Sequence, residues 1–147
     1  MKTPAADAKL PLLPCACANL RRAARAVTRL YDEELRYTAL EPTQFTLLMA
    51  LDLAGEVTQG HLGRILALDS TTLTRTLRLL LARGWVRAAA GSDRRERYLS
   101  LTPQGRRKFR RAQPAWERAQ QRLEGALGPA QWKSLAATLE EVARAAG

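Results

Sequence analysis

The chain has 147 residues, of which 46% are hydrophobic and 26% charged, and its net charge at pH 7 is +10. This length suits one domain, or one domain with an extension for dimerisation, and the composition is that of a globular protein. No apolar run reaches the length of about 18 residues that a membrane span needs. The start of the chain, broken by prolines, lacks the continuous apolar core of a signal peptide. We therefore expect a cytoplasmic protein without a membrane partner.

The first predicted elements are an extended arm and two helices. Three prolines make residues 1–14 a poor helix and favour an extended arm. From Cys15 onward, apolar residues at alternating steps of three and four predict a helix to about Tyr37. A turn at residues 41–43 then starts a second, almost wholly apolar helix, which should be buried and should stop at Gly55.

Two shorter helices are predicted in the middle of the chain. Thr58 can cap a helix over residues 59–66, and either Asp69 or Ser70 can cap the next one. Gly84 is expected to end that helix as a left-handed cap.

A short ribbon and two further helices follow. Residues 85–87 and 97–101 alternate as strands do around a polar tip. Thr102, as cap, and Pro103 open a long basic helix, and a break at Gly128-Pro129 precedes a last helix with an apolar stripe. A helix that starts with small polar residues and is followed by a basic hairpin is the layout of a winged helix-turn-helix. The predicted fold class is therefore mainly α with a small two-stranded β-ribbon wing.

The positive charge is concentrated in the middle of the chain. Residues 56–112 hold thirteen Lys or Arg against four Asp or Glu, whereas the segments before and after are close to neutral. Such a block favours a polyanionic partner, because each phosphate contact adds salt-dependent affinity by counterion release. We expect double-stranded DNA as that partner. Two alternatives are a basic face that is only solvated and an architectural protein that coats DNA without sequence preference.

The start of the helix after residue 69 carries the side chains expected to read DNA. Hydroxyls can reach phosphates or base edges, and arginine can bond guanine with two hydrogen bonds. Arg75 and Thr72 are the strongest candidates, although Thr71 or Thr72 can instead cap the helix or pack. The preceding helix offers backbone contacts, among which His61 is a lone histidine of the kind that is more often inert. The candidates on these two helices are Ser70, Thr71, Thr72, Thr74, Arg75, Arg78, Gln59, His61 and Arg64.

The most specific motif lies in and after the ribbon. It reads Asp93-Arg94-Arg95 and then Leu99-Ser100-Leu101-Thr102-Pro103-Gln104-Gly105. Asp-x-Arg followed by Leu-x-Leu-Thr-x-x-Gly resembles the pattern of the MarR (multiple antibiotic resistance regulator) family of transcription factors. The resemblance covers roughly residues 15–145. It implies homodimers whose terminal helices interlock and whose two winged heads bind a near-palindromic operator.

The resemblance also divides the chain and assigns the wing. It implies a winged helix-turn-helix head over residues 41–102, with N- and C-terminal dimerisation helices over residues 15–40 and 103–147. Arg95 would insert into the minor groove, and Asp93 would hold it by a charge-assisted pair. The alternative is a surface ion pair at a hairpin tip, which contributes little. The wing residues assigned to DNA are Asp93, Arg94, Arg95 and Arg97.

A switch operated by a small molecule is a further implication of the resemblance. Family ligands, often aromatic acids or phenolics, sit between the dimerisation helices and the head. Their binding would favour a dimer whose heads no longer match the operator half-sites, so that a repressor is released. An arginine would pair with a ligand carboxylate, and the alternative for the apolar members is core packing. The candidates are Arg21, Arg25, Tyr31, Phe45, Met49 and Trp116.

Cys17 is a candidate for a different switch, the sensing of oxidants. Peroxide-sensing members of the family carry a reactive cysteine near the start of the first helix, at about the position of Cys17, and Tyr31 matches one of their tyrosines. Arg21 and Pro42 occupy the other aromatic positions. A nearby arginine can activate a thiolate. The alternative is that Cys17 is a small apolar residue in the dimer or pocket core.

The sequence contains no motif typical of an enzyme active site or of a metal site. It has no phosphate-binding glycine loop, no nucleophile elbow and no set of histidine with carboxylate. One histidine and two cysteines provide no spacing that closes a metal site. We expect no catalysis, no metal and no cofactor.

Overall fold

Six α-helices and three short β-strands make up residues 11–147, the part of the chain that the computed structural model describes. Their order is α1 (Ala16–Leu35), α2 (Pro42–Ala54), β1 (Val57–Thr58), α3 (Gln59–Leu66), α4 (Ser70–Ala82), β2 (Val86–Ala90), β3 (Arg97–Leu101), α5 (Pro103–Leu127) and α6 (Pro129–Ala146). A short 3₁₀ turn, Arg36–Thr38, follows α1. The arm predicted over residues 1–14 lies mostly outside the described residues, and residues 11–14 precede α1 without helix or strand.

Capping residues place the starts of α3, α4 and α5 where the sequence predicts them. The side chains of Thr58, Asp69 and Thr102 each accept a hydrogen bond from a backbone N–H in the first turn of these helices. Asp69, rather than Ser70, is therefore the cap of α4. Gly84 follows the end of α4 with φ +68°, which confirms the predicted left-handed position.

The structure differs from the sequence prediction in two elements, the end of the first helix and the number of strands. The first helix ends at Leu35 and not near Tyr37, because the chain tightens into the 3₁₀ turn and Ala39 adopts a left-handed conformation with φ +56°. The predicted two-stranded ribbon is a three-stranded antiparallel sheet of order β1-β3-β2, in which Val57 of β1 pairs with Leu99 of β3. A strand of two residues is too short to show the alternation by which strands are recognised.

The hydrophobic core lies where α2 meets α5, the sheet and the inner faces of α3 and α4. Phe45 of α2 is 1% exposed, and its ring centroid lies 5.1 Å from that of Phe109 and 5.9 Å from that of Trp116. Leu62 of α3 and Leu80 of α4 are fully buried against the same cluster. The burial of α2 that the sequence predicts is confirmed, and α3, α4 and the sheet are held against α5 by this shared core.

A close backbone approach joins the sheet to the start of α5. The Thr102 hydroxyl donates to the Gly84 carbonyl at 2.6 Å and accepts from the Gly105 N–H at 2.9 Å. A Cβ on Gly105 would lie 1.8 Å from the Trp85 carbonyl oxygen, so the position has no room for a side chain. The Thr-x-x-Gly part of the sequence motif is thus explained by packing within one chain.

Two cations from different helices lie on the ring of Trp85. The Arg83 guanidinium carbon is 5.0 Å, and the Lys108 Nζ 4.9 Å, from the ring centroid. Arg83 also donates to the Ala39 carbonyl at 3.3 Å, and Lys108 donates to the Thr38 carbonyl. Burial, together with neighbouring arginines, lowers the pKa of Lys108. The turn between α1 and α2 is therefore bonded both to the end of α4 and to α5.

Helices α1 and α6 bury few residues within one chain, whereas α5 buries five. Leu35 is the single buried residue of α1, and α6 has none. On α6, Leu139 is 46% and Val142 38% exposed, although both belong to its apolar stripe. No helix within residues 11–147 combines the length and the apolar character needed to cross a membrane.

Candidate nucleic-acid interface

The first turns of α4 present polar and basic side chains on one open surface. Five exposed residues line a cleft of about 400 Å³, and none of them is held by the core. Within the described residues, all five keep a side-chain donor that is not engaged, because only the Thr74 hydroxyl takes part in a side-chain hydrogen bond, and it does so as an acceptor. These residues, which we call the α4 surface, are Ser70, Thr71, Thr74, Arg75 and Arg78.

Thr72 takes a different position from the α4 surface. Its hydroxyl donates to Asp69 Oδ2 at 2.7 Å, and its backbone N–H donates to Asp69 Oδ1 at 2.9 Å. These two hydrogen bonds hold the pKa of Asp69 below its ordinary value. Since the hydroxyl proton of Thr72 is already engaged, it is not available to a phosphate oxygen, which accepts but does not donate. The geometry favours the capping alternative for Thr72 over a phosphate contact.

Helix α3 contributes two side chains to the same region, because Gln59 and Arg64 line a cleft of about 390 Å³ together with Ser70. Gln59 Nε2 donates to the Thr74 hydroxyl at 3.4 Å, a long hydrogen bond between two exposed side chains. Gln59, Arg78 and Arg97 line a further cleft of about 280 Å³ between α3, α4 and β3. His61 and Arg64 are exposed on α3.

The wing tip is a tight turn closed by its own backbone. Asp93 Oδ1 accepts from the Arg95 N–H at 3.0 Å, and the Glu96 N–H donates to the Asp93 carbonyl at 3.0 Å. Within residues 11–147 the Asp93 carboxylate makes no ion pair with the Arg95 guanidinium, unlike the pair that the resemblance implies. Asp93 therefore shapes the loop through the backbone, and the Arg94 and Arg95 side chains remain exposed at its tip.

The residues expected around a ligand separate into core and surface. Phe45 and Trp116 stack on each other, and Met49 packs against the same core, which supports the core-packing alternative for these three in a single chain. The Tyr31 hydroxyl donates to Gln120 Oε1 of α5, and burial raises the pKa of Tyr31. The two α1 arginines expected to bind a ligand, Arg21 and Arg25, are exposed.

Both cysteines lie at the exposed start of α1. Cys15 is the N-cap, and its Sγ accepts from the Ala18 N–H at 3.5 Å. Cys17 is exposed in the first turn. In the described part of the chain, no group of three or more His, Cys, Asp or Glu side chains is placed to hold a metal ion.

One basic cluster was left unassigned by the sequence. Arg87 of β2 lines a cleft with Arg106, Arg107 and Arg110 of α5. The only sequence signal for it is the charge excess of residues 56–112, which does not say which basic residues meet in space.

Comparison with known proteins adds sequence and structural relatives. The profile of the MarR family matches residues 40–96. The chain is 30% identical over 91 residues to YwoH, an uncharacterized HTH-type transcriptional regulator of Bacillus subtilis, with 62% of this chain and 66% of that protein aligned. It is 36% identical over 78 residues to the multiple antibiotic resistance protein MarR of Salmonella typhimurium, with 52% and 54% aligned. The chain thus spans slightly under two thirds of the length of YwoH and about half of the length of the Salmonella MarR protein.

One solved structure aligns with this chain over nearly the whole length of both proteins. It is the transcriptional regulator MosR of M. tuberculosis in complex with DNA, which is 34% identical to this chain with a TM-score of 0.78. The match covers 90% of this chain and 98% of that one.

Proposed function

The chain belongs to the MarR family of transcription regulators, and on this premise we propose that it is a sequence-specific DNA-binding regulator and not an enzyme. The α4 surface carries the proposal, because it gathers hydroxyls and two arginines on the first turns of an exposed helix. Such a helix fits the major groove, where arginine and hydroxyl side chains distinguish base pairs. The exposed Arg94 and Arg95 at the wing tip would reach the adjacent minor groove.

A homodimer is the second part of the proposal. The terminal helices, residues 15–40 and 103–147, would form the dimer interface, and residues 41–102 would form each DNA-binding head. The exposed apolar stripe of α6 supports this division, since a second copy of the chain would cover it. A two-fold dimer places two identical heads on one side of a duplex, which suits a near-palindromic operator.

Fluorescence anisotropy on the duplex upstream of the protein's own gene tests the DNA-binding part. We expect nanomolar affinity for this duplex, much weaker binding to a scrambled duplex at the same salt, and a loss of affinity with Arg95→Ala. Equal affinity for both duplexes would contradict sequence-specific regulation and favour the architectural alternative.

Release by a small aromatic acid or phenolic ligand is the proposed mode of regulation, with the protein acting as a repressor. The exposed guanidinium of Arg25 supports this, because it is available to a ligand carboxylate. We expect Arg25→Ala to abolish release from DNA by aromatic acids, whereas Arg29→Ala, one turn further along the same exposed helix face, should leave release intact. Unchanged release by Arg25→Ala would remove this residue from the ligand site.

Oxidant sensing through Cys17 is the second candidate. Its support is the exposure of the thiol near the start of α1, since a reactive cysteine must be accessible. Cys17→Ser is expected to remove any response of DNA binding to peroxide. A variant that still responds would exclude the thiol mechanism.

A further inference from the structure

A basic cleft lies where the base of the wing meets the start of α5. Four arginines line it, with Leu101 and Pro103 as its apolar part, and its volume is about 330 Å³. This volume is at the lower end of the range for small-ligand sites. The arginines of this cleft, which we call the wing-base cleft, are Arg87, Arg106, Arg107 and Arg110.

The wing-base cleft is separate from the α4 surface. Arg87 pairs in register with Ser100 of β3, and successive side chains of a strand point to opposite faces of the sheet. Arg97 of β3, three residues before Ser100, therefore lies on the opposite face, where it lines the cleft next to α4. An anion held by Arg87 would not occupy the DNA-reading side of the wing.

Arg87 is also held in a defined orientation. Its Nε donates to the Ser100 hydroxyl at 2.9 Å across the two strands. This bond leaves the two terminal nitrogens of the guanidinium for another acceptor, and a guanidinium that is already oriented loses less freedom when it binds.

Among the described residues, only one of the four arginines of the cleft is paired with a carboxylate. Arg106 pairs with Asp52 at 2.5 Å. In the described residues, Arg87, Arg107 and Arg110 make no ion pair with any carboxylate. Three like charges around one cleft repel each other, and a multivalent anion would relieve that repulsion. The planar fork of arginine matches phosphate oxygens with two parallel hydrogen bonds.

From these observations we propose that the wing-base cleft is a second anion site, which binds phosphate groups independently of the α4 surface. The phosphates come either from a free oligophosphate or from the backbone of DNA that continues beyond the operator. Both sources present the same chemistry to the three arginines, and two titrations distinguish them.

The first titration uses sodium tripolyphosphate and the full chain, followed by isothermal calorimetry. We expect Arg110→Gln to weaken binding at least about fivefold, since it removes one charge-assisted hydrogen bond. Arg111→Gln is the matched control, because it removes the same charge from the next residue of α5, which does not line the cleft. The control should stay within about twofold of the wild type, and thermal unfolding of both variants checks that each is folded.

The second titration compares a short operator duplex with one extended by a helical turn on each side. If the cleft holds flanking DNA, the longer duplex binds more tightly, and Arg110→Gln abolishes this gain. The same variant should make the slope of log affinity against log salt shallower by about 0.9 for each phosphate that Arg110 neutralises. Arg111→Gln keeps the gain. Binding of the short duplex reports on the proposed function, so a failure there is distinguishable from a failure of the cleft.

A difference between the two variants in either titration supports the site and identifies the source of phosphate. Equal behaviour of Arg110→Gln and Arg111→Gln in both titrations would overturn the proposal. The arginines would then act only through the overall positive field of the chain.

Discussion

Gly105 and Thr72 are residues whose roles depend on single atoms. Gly105 lies in α5 with no space for a Cβ against the Trp85 carbonyl, and Thr72 donates its hydroxyl proton to the cap of α4. Both belong to segments that the sequence assigns to a DNA-binding head and its junction with α5. Neither needs to touch DNA to be required, because each fixes the position of a neighbouring segment.

We expect Gly105→Ala to destabilise the protein by about 1–3 kcal/mol, because the added methyl group forces the start of α5 away from Trp85. Thermal or urea unfolding measures this directly. Gly125→Ala is the control in the same helix, where a Cβ meets nothing within 4 Å. It should stabilise the protein by about 0.5–1 kcal/mol, as alanine does in an unobstructed helix. Equal stability of the two variants would contradict the close approach at Gly105.

At the scale of elements, α1 and α5 are joined by a cluster of charges. Glu34 of α1 accepts from Arg118 at 3.0 Å and from Arg122 at 2.9 Å, and Arg122 also donates to Glu33 at 3.2 Å. The hydrogen bonds from Arg122 and then Arg118 hold the pKa of Glu34 below its ordinary value. A carboxylate with a lowered pKa stabilises the folded state above its unfolded pKa of about 4.3, and this contribution is lost as the pH falls through the folded value.

We therefore expect the wild type to lose more thermal stability than Glu34→Gln when the pH falls from about 6 to about 3.5. The glutamine of the variant carries no charge at any pH, so the variant has no Glu34 ion pair to lose when the pH falls. Glu140→Gln is the control, because Glu140 pairs with Arg144 in an exposed i, i+4 pair on α6 that contributes little. If both variants follow the wild-type pH profile, Glu34 does not link α1 to α5 electrostatically.

At the scale of the whole molecule, the arrangement of apolar surface favours assembly. Helices α2 to α5 and the sheet share a continuous core, whereas α1 buries a single residue and α6 none within one chain. Exposed apolar stripes on terminal helices are typical of surfaces that a partner covers. The proposed homodimer would complete the packing of both terminal helices.

We expect Leu139→Glu to weaken dimerisation by about a hundredfold or more, since it places a charge in the proposed apolar interface on both subunits. Sedimentation at micromolar concentration should then show monomers. Leu53→Glu is the matched control, because Leu53 is 82% exposed on α2, outside the terminal helices. A Leu139→Glu protein that remains dimeric would exclude α6 from the interface.

Helices that begin at a capping residue could be predicted from the sequence, whereas contacts between segments far apart in the chain could not. Thr58, Asp69 and Thr102 cap helices within three residues of themselves, so spacing along the chain suffices to find them. The two-residue strand β1 was missed because its pairing partner, β3, lies far along the chain. The contacts of the candidate DNA-binding residues with bases stay predictions, although the placement of five of them on the α4 surface supports the assignment.

Short-range chemistry accounts for the helix starts, the wing and the family motif, since capping, glycine conformation and strand alternation act over a few neighbouring residues. Packing between segments far apart in the chain decides the rest. It brings Arg87 to Arg107 and Arg110, closes the space above Gly105, and places Arg83 and Lys108 on Trp85. These contacts depend on distances of a few ångströms between separate elements, which residue spacing along a single element does not encode.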